Sequence, residues 1–209
     1  MEFCLSASNL TNPSPVAAKS IQETTIHIRL ADLKDVKALA DVLVQSFYVS
    51  ENWFSWFYPL LKLGICEDLR TRFRSKSPYY QCLVALILEK EEVIGTAEIC
   101  LRDWFLSQKR ACYISNLAVS SSYRRQGVAK KLLLNCEKIA QEWNCELLHL
   151  HVLEDNLPAK QLYLTNGYRS QRVENSLQSW LFKQPRRLLL EKKLNVKPEI
   201  TRPRILPMD

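Results

Sequence analysis

The run Asn116-Leu117-Ala118-Val119, then Ser120 to Tyr123, then Arg124-Arg125-Gln126-Gly127-Val128-Ala129-Lys130 reads as a strand, a turn and the start of a helix. A helix N-terminus presents unsatisfied N–H groups and partial positive charge, and a glycine turn lets an anion approach the backbone. Gly127 and the small Ala129 leave that approach clear, and Arg124, Arg125 and Lys130 add charge suited to a pyrophosphate. The plain alternative is a capped helix with a basic first turn. One small-residue turn does not decide between them.

Periodicity places this segment inside an alternation of strands and helices. Residues 25–30 predict a first strand, and Asp32 caps a helix with Val36, Leu39, Ala40 and Leu43 at helical spacing. A second helical region, rich in aromatics, covers about 51–73. Strands are expected at 81–88 and 92–101, joined by the charged turn Glu89-Lys90-Glu91, and at 111–119. Val128, Leu132, Ile139 and Trp143 mark one face of a long helix over 125–143. A strand at 147–153, a short helix at 158–165 ending at Asn166-Gly167, and a last strand at 188–194 complete the pattern.

A chain of 209 residues with 47% hydrophobic and 24% charged residues fits one domain with a real core. The expected organisation is a flexible tail at 1–24, a folded domain at 25–195 and a second flexible tail at 196–209. The first tail, poor in acids, also admits a transit-peptide remnant. No apolar run approaches the roughly 20 residues needed to cross a bilayer. Seven scattered cysteines with no C-x-x-C pair point to a reducing compartment. His149-x-His151 is the one metal-like spacing, and it lacks accompanying ligands, so no metal is expected. A net charge of +7 suits anionic partners in general, but the densest basic patches, Arg70 to Lys76 and Arg186-Arg187, read as solvated faces, so neither nucleic acid nor membrane is expected as partner.

The strand-turn-helix segment resembles motif A of the GNAT acetyltransferases, whose R/Q-x-x-G-x-G/A signature is met by Arg124, Gly127 and Ala129 after a Leu-Ala-Val strand. His151-Val-Leu-Glu-Asp-Asn156, Pro158-Ala159, Leu162-Tyr163 and Asn166-Gly167-Tyr168 resemble motif B of the same family. The resemblance covers about 111–169, and the segments 68–80 and 180–194 look like a plastid and cyanobacterial branch. It implies an α/β (α+β) fold with a mixed, mostly antiparallel twisted sheet of six to seven strands. Helices would lie on both faces, and strands 4 and 5 would run parallel and splayed.

It further implies acetyl-CoA as co-substrate, held in that splay. Leu117, Ala118 and Val119 would contact it through their backbone, and Arg124, Arg125, Gln126, Gly127, Val128, Ala129 and Lys130 would wrap the pyrophosphate. Asn156 and Tyr163 correspond to polar contacts near the pantetheine arm and the thioester sulfur. Tyr163 is a candidate general acid for the departing thiolate, or else a core tyrosine. Tyr113 and His151 match a Tyr and His used by some N-terminal protein acetyltransferases to take the amine proton through a water. His151 also fits a buried strand histidine, and Glu98 is a reserve base. The aromatics Phe47, Tyr48, Trp53, Phe54, Trp56, Phe57 and Tyr58 line an acceptor groove or pack between helices. The implied reaction is acetyl transfer to a primary amine of a protein or peptide, most readily an N-terminal α-amine and also a lysine ε-amine. A small-molecule amine acetyltransferase and a non-catalytic coenzyme A-binding regulator are the alternatives. The enzyme is expected as a monomer or homodimer in the cytoplasm, or else in the plastid stroma.

Overall fold

The computed structural model describes residues 25–47, 57–102, 110–174 and 186–195. Both expected tails, together with Tyr48, Trp53, Phe54 and Trp56, lie outside the described residues.

Seven strands form one sheet: β1 (Ile26–Leu30), β2 (Tyr80–Ile87), β3 (Glu92–Arg102), β4 (Ala111–Val119), β5 (Leu147–Leu153), β6 (Arg169–Glu174) and β7 (Arg187–Lys193). Their spatial order is β1-β2-β3-β4-β5-β7-β6. Every neighbouring pair is antiparallel except β4 and β5, which run parallel. The helices are α1 (Val36–Phe47), α2 (Tyr58–Ser75), α3 (Val128–Glu142) and α4 (Leu157–Thr165). The periodic reading missed β6, whose Arg-Ser-Gln-Arg-Val-Glu sequence is exposed from Arg169 to Val173 and has no apolar alternation to betray it.

Side-chain alternation along the strands divides the core into two layers. Leu83, Ala85, Ala97, Ile99, Cys112, Ile114, Leu148 and Leu150 point to one face and pack with Leu132, Leu133 and Cys136 of α3 and Tyr163 of α4. Cys82, Val84 and Leu86 point to the other and pack with Leu39 and Leu43 of α1 and Leu69 of α2. Helices therefore cover both faces. Asp32 caps the short 3-10 turn ahead of α1: its Oδ1 accepts from the Lys34 N–H at 2.8 Å, and Asp35 Oδ2 accepts from the Asp32 N–H at 2.9 Å.

The scattered cysteines point to a reducing compartment, and the structure joins two of them. Cys112, at the start of β4, is disulfide-bonded to Cys145, just before β5, with Cα atoms 6.0 Å apart. Spacing could not reveal it, because 33 residues separate the partners and only the parallel pairing of β4 with β5 brings them together. Cys66, Cys82, Cys100 and Cys136 are free thiols.

Candidate active site

The sheet opens where β4 leaves β5. The two strands pair at four positions, from Ala111 opposite Leu147 to Ile114 opposite Leu150. Beyond Ile114, β4 continues against β3, while β5 continues against β7 through His151, Val152 and Leu153. A local irregularity marks this divergence. Between the pairs Thr96 with Ala118 and Glu98 with Ser115, β4 holds one residue more than β3, and Asn116 adopts a left-handed backbone at φ 51°. This is the geometry of a β-bulge, which bends a strand and ends its regular pairing. The backbone of Ser115 to Val119 thereby faces a gap where a fifth strand would otherwise bond.

The gap leads to the N-terminus of α3. Arg125 (φ 65°) and Gly127 (φ 80°) are both left-handed, so the chain turns sharply before the helix begins at Val128. Lys131 makes the first bond of the helix ladder, donating to the Gly127 carbonyl at 3.0 Å, so the amides of Val128, Ala129 and Lys130 precede the ladder. A Cβ on Gly127 would meet nothing within 4 Å, so the glycine serves the turn's conformation and an open approach to it. Gly95 of β3 is needed for a different reason: a Cβ there would lie 3.0 Å from the Ala118 carbonyl and 3.3 Å from Val128 and Leu132 side chains. It lets the first turn of α3 sit down on the sheet beside the gap.

The residues expected at the pyrophosphate divide in two. Arg125, Gly127, Val128, Ala129 and Lys130 lie at the helix start. Arg124, by contrast, donates through Nε to the Val119 carbonyl at 3.1 Å, and Gln126 donates to the Ser122 carbonyl at 3.3 Å, so both side chains tie the turn to itself. Asn156 likewise has a local task, capping α4 by accepting from the Ala159 N–H at 3.2 Å.

Two aromatic groups lie on opposite faces of the sheet. Tyr113 of β4 and His151 of β5 point to the α1/α2 face, and the Tyr113 hydroxyl shares a hydrogen bond with His151 Nδ1 at 2.8 Å. The Arg102 guanidinium lies 4.0 Å over the Tyr113 ring. Tyr163 of α4 belongs to the α3/α4 face, is 7% exposed, and meets Tyr168 edge to face at 5.9 Å. Burial, with Cys136 and Tyr113 nearby, pushes its phenol up to about 12.

Glu98, the reserve base, is 1% exposed and committed elsewhere: Arg72 donates to its Oε2 at 2.6 Å and Asn116 to its Oε1 at 2.9 Å. The imidazoles of His149-x-His151 have separate partners, since His149 Nε2 bonds Glu191 at 2.9 Å. Among the described residues no group of three or more His, Cys, Asp or Glu is placed to hold a metal ion. Phe47 of the aromatic stretch is exposed, and Phe57 and Tyr58 are half-buried.

Residues 44–168 match the acetyltransferase (GNAT) family model. The chain belongs to this GNAT acetyltransferase family. It is 25% identical over 178 residues to the Arabidopsis thaliana GCN5-related N-acetyltransferase 10, chloroplastic, across 78% of this chain and 70% of that one. It spans 24% and 28% of the length of two further chloroplastic relatives. It is 31% identical over 106 residues to thialysine N-epsilon-acetyltransferase of Bos taurus, covering 48% of this chain and 62% of the relative. The fold superimposes on Arabidopsis thaliana NAA60 in complex with acetyl-CoA with a TM-score of 0.63 at 19% identity, over 82% of this chain and 99% of that one. As a GNAT acetyltransferase, the protein is an N-acetyltransferase that uses acetyl-CoA as its co-substrate and acts on an amine acceptor. Among the described residues no helix is long and apolar enough to cross a membrane.

Proposed function

We propose that the enzyme acetylates protein N-terminal α-amines, and lysine ε-amines more slowly, with the thioester in the β4–β5 opening and the amine entering from the α1/α2 face. The observation that carries this reading is the 2.8 Å hydrogen bond between Tyr113 and His151 on that face. Direct transfer requires a neutral amine. An α-amine with a pKa of about 7.7–8.0 is partly neutral near pH 7.5, whereas a lysine at about 10.4 is neutral to about one part in a thousand, a gap of roughly 3–4 kcal/mol. A phenol joined to an imidazole suits the smaller demand: Tyr113 takes the ammonium proton through a water while passing its own proton to Nδ1 of His151.

On the opposite face Tyr163 stays protonated throughout the neutral range, because burial opposes its ionisation, and it donates to the sulfur as the thiolate departs. The pyrophosphate is assigned to the amides of Val128 to Lys130 and the side chains of Arg125 and Lys130, with Leu117, Ala118 and Val119 offering backbone groups to the pantetheine arm. The chloroplastic relatives favour the plastid stroma over the cytoplasm.

A small-amine reading draws on the likeness to a thialysine N-epsilon-acetyltransferase. Initial rates with peptides differing in their first residue, each free or blocked at the α-amine, set beside thialysine and polyamines, separate the two. Turnover that vanishes on blocking supports the α-amine reading. Turnover that survives the block moves the acceptor to lysine, and turnover confined to small amines removes proteins as acceptors.

A further inference from the structure

The bulge that opens the cofactor gap is held from the side by a buried polar chain. Asn116 is the left-handed residue of that bulge, and its Nδ2 donates to Glu98 Oε1 at 2.9 Å. Glu98 lies on β3 with its side chain on the α1/α2 face and is 1% exposed. Its second oxygen accepts from Arg72 of α2 at 2.6 Å, and Arg72 is held in turn by Asp68, one turn earlier on the same helix, at 2.7 Å. The three side chains thus run from α2, across β3, to the point where β4 stops pairing with β5.

Burying a carboxylate is unfavourable unless it is fully paired, and an isolated strand position gives no reason to place one here. A left-handed residue within a strand is also unfavourable for anything but glycine, asparagine or aspartate. Both local irregularities meet in one hydrogen bond. We propose that Arg72, Glu98 and Asn116 are positioning residues that fix the β4 bulge, and with it the backbone of Leu117 to Val119 that binds acetyl-CoA, to helix α2. The chain acts through the strand and touches neither the sulfur nor the amine. The inference rests on the thioester lying in the β4–β5 opening.

Asn116→Gly is the decisive variant, because glycine adopts the left-handed backbone freely and only the link to Glu98 is lost. The full-length enzyme carrying it is expected to stay folded, melting below the parent because one Glu98 oxygen loses its partner, and to show a KM for acetyl-CoA raised about tenfold. The KM for the amine should stay within about twofold. Glu98→Ala should raise the same KM, and adding Asn116→Gly to it should raise it no further, since both cut one path. Gly127→Val, which obstructs the helix N-terminus itself, serves as the reference for the cofactor site. If Gly127→Val weakens acetyl-CoA binding while Asn116→Gly changes neither KM, the positioning role is overturned and the cofactor site stands. A lowered melting temperature with both KM values unchanged overturns it equally, by reducing the chain to a stability element. If neither Gly127→Val nor Asn116→Gly affects acetyl-CoA, the cofactor site fails and the inference with it.

Discussion

The Tyr113 hydroxyl and His151 Nδ1 lie 2.8 Å apart, on two strands whose shared register has just ended. Tyr113 sits within the last stretch of β4 that pairs with β5, one residue before the final pair, and His151 is the first residue of β5 beyond it. The hydrogen bond thus spans the lip of the opening.

A proton relay built on that bond works as a unit. Tyr113→Phe and His151→Ala are each expected to lower kcat with α-amine peptides by about 100-fold. The double variant should be no slower than the slower single one, because the second substitution removes a group already disconnected. Steady-state rates of the four enzymes provide the check, and fully additive losses would separate the two residues.

Tyr163 is expected to matter in the opposite half of the reaction. Tyr163→Phe should lower kcat about 10- to 100-fold while the KM for acetyl-CoA changes little, since the proton is needed only as the sulfur leaves. Its raised phenol also has a stability consequence. The folded state favours the protonated form, so this contribution is fully present below the ordinary value of 10.0 and is lost as pH rises through about 12. Denaturation of the parent should become easier across that alkaline window, and Tyr163→Phe should flatten the change.

Gly95→Ala tests the seat of α3. Its Cβ would meet the Ala118 carbonyl at 3.0 Å, a backbone atom that cannot rotate aside. A cost of about 1–3 kcal/mol is expected from the overpacking. Because Ala118 and Val128 flank the opening proposed to hold the cofactor, affinity for coenzyme A should fall as well. Chemical denaturation and calorimetric binding measure the two effects, and unchanged affinity in a destabilised variant would detach Gly95 from the site.

Acid stability should follow Asp35. The Arg29 guanidinium donates to both its oxygens, at 2.6 and 2.8 Å, and holds its carboxyl below the usual carboxylate value. A depressed folded value means stability that is present above the unfolded pKa, about 3.9, and is lost as pH falls through the folded one. Asp35→Asn should therefore cost about 1–3 kcal/mol at pH 7 and progressively less below about pH 4. Urea titrations at pH 7 and pH 3 show whether the difference shrinks.

Much of the fold was legible because its strands are apolar runs and α3 repeats at helical spacing. Residues 111–119 and 147–153 match β4 and β5 at both ends. What escaped was set by partners distant in sequence. The bulge at Asn116 shows only once Thr96 and Glu98 are seen opposite it, and Glu98 reads as a possible base until Arg72 and Asn116 occupy its oxygens. Arg124 carries the right charge for a phosphate, yet the Val119 carbonyl, brought within reach by the turn, takes its Nε. The helix itself begins at Val128, later than the 125 suggested by periodicity, because the left-handed Arg125 and Gly127 cannot continue it.

The β4–β5 opening, proposed to hold the cofactor, is distinct from two other hollows in the surface. One, of about 480 Å³, lies between the end of β1 and α2, lined by Leu33, Arg72, Phe73 and Tyr80. The other, of about 530 Å³, lies between β1 and α3. Backbone amide exchange of the full-length enzyme with and without coenzyme A distinguishes all three most directly. Slowed exchange at Leu117 to Val119 and Val128 to Lys130, with β1 and α2 unchanged, is the result predicted here; protection confined to Leu30 to Leu33 and the C-terminal half of α2 would contradict it.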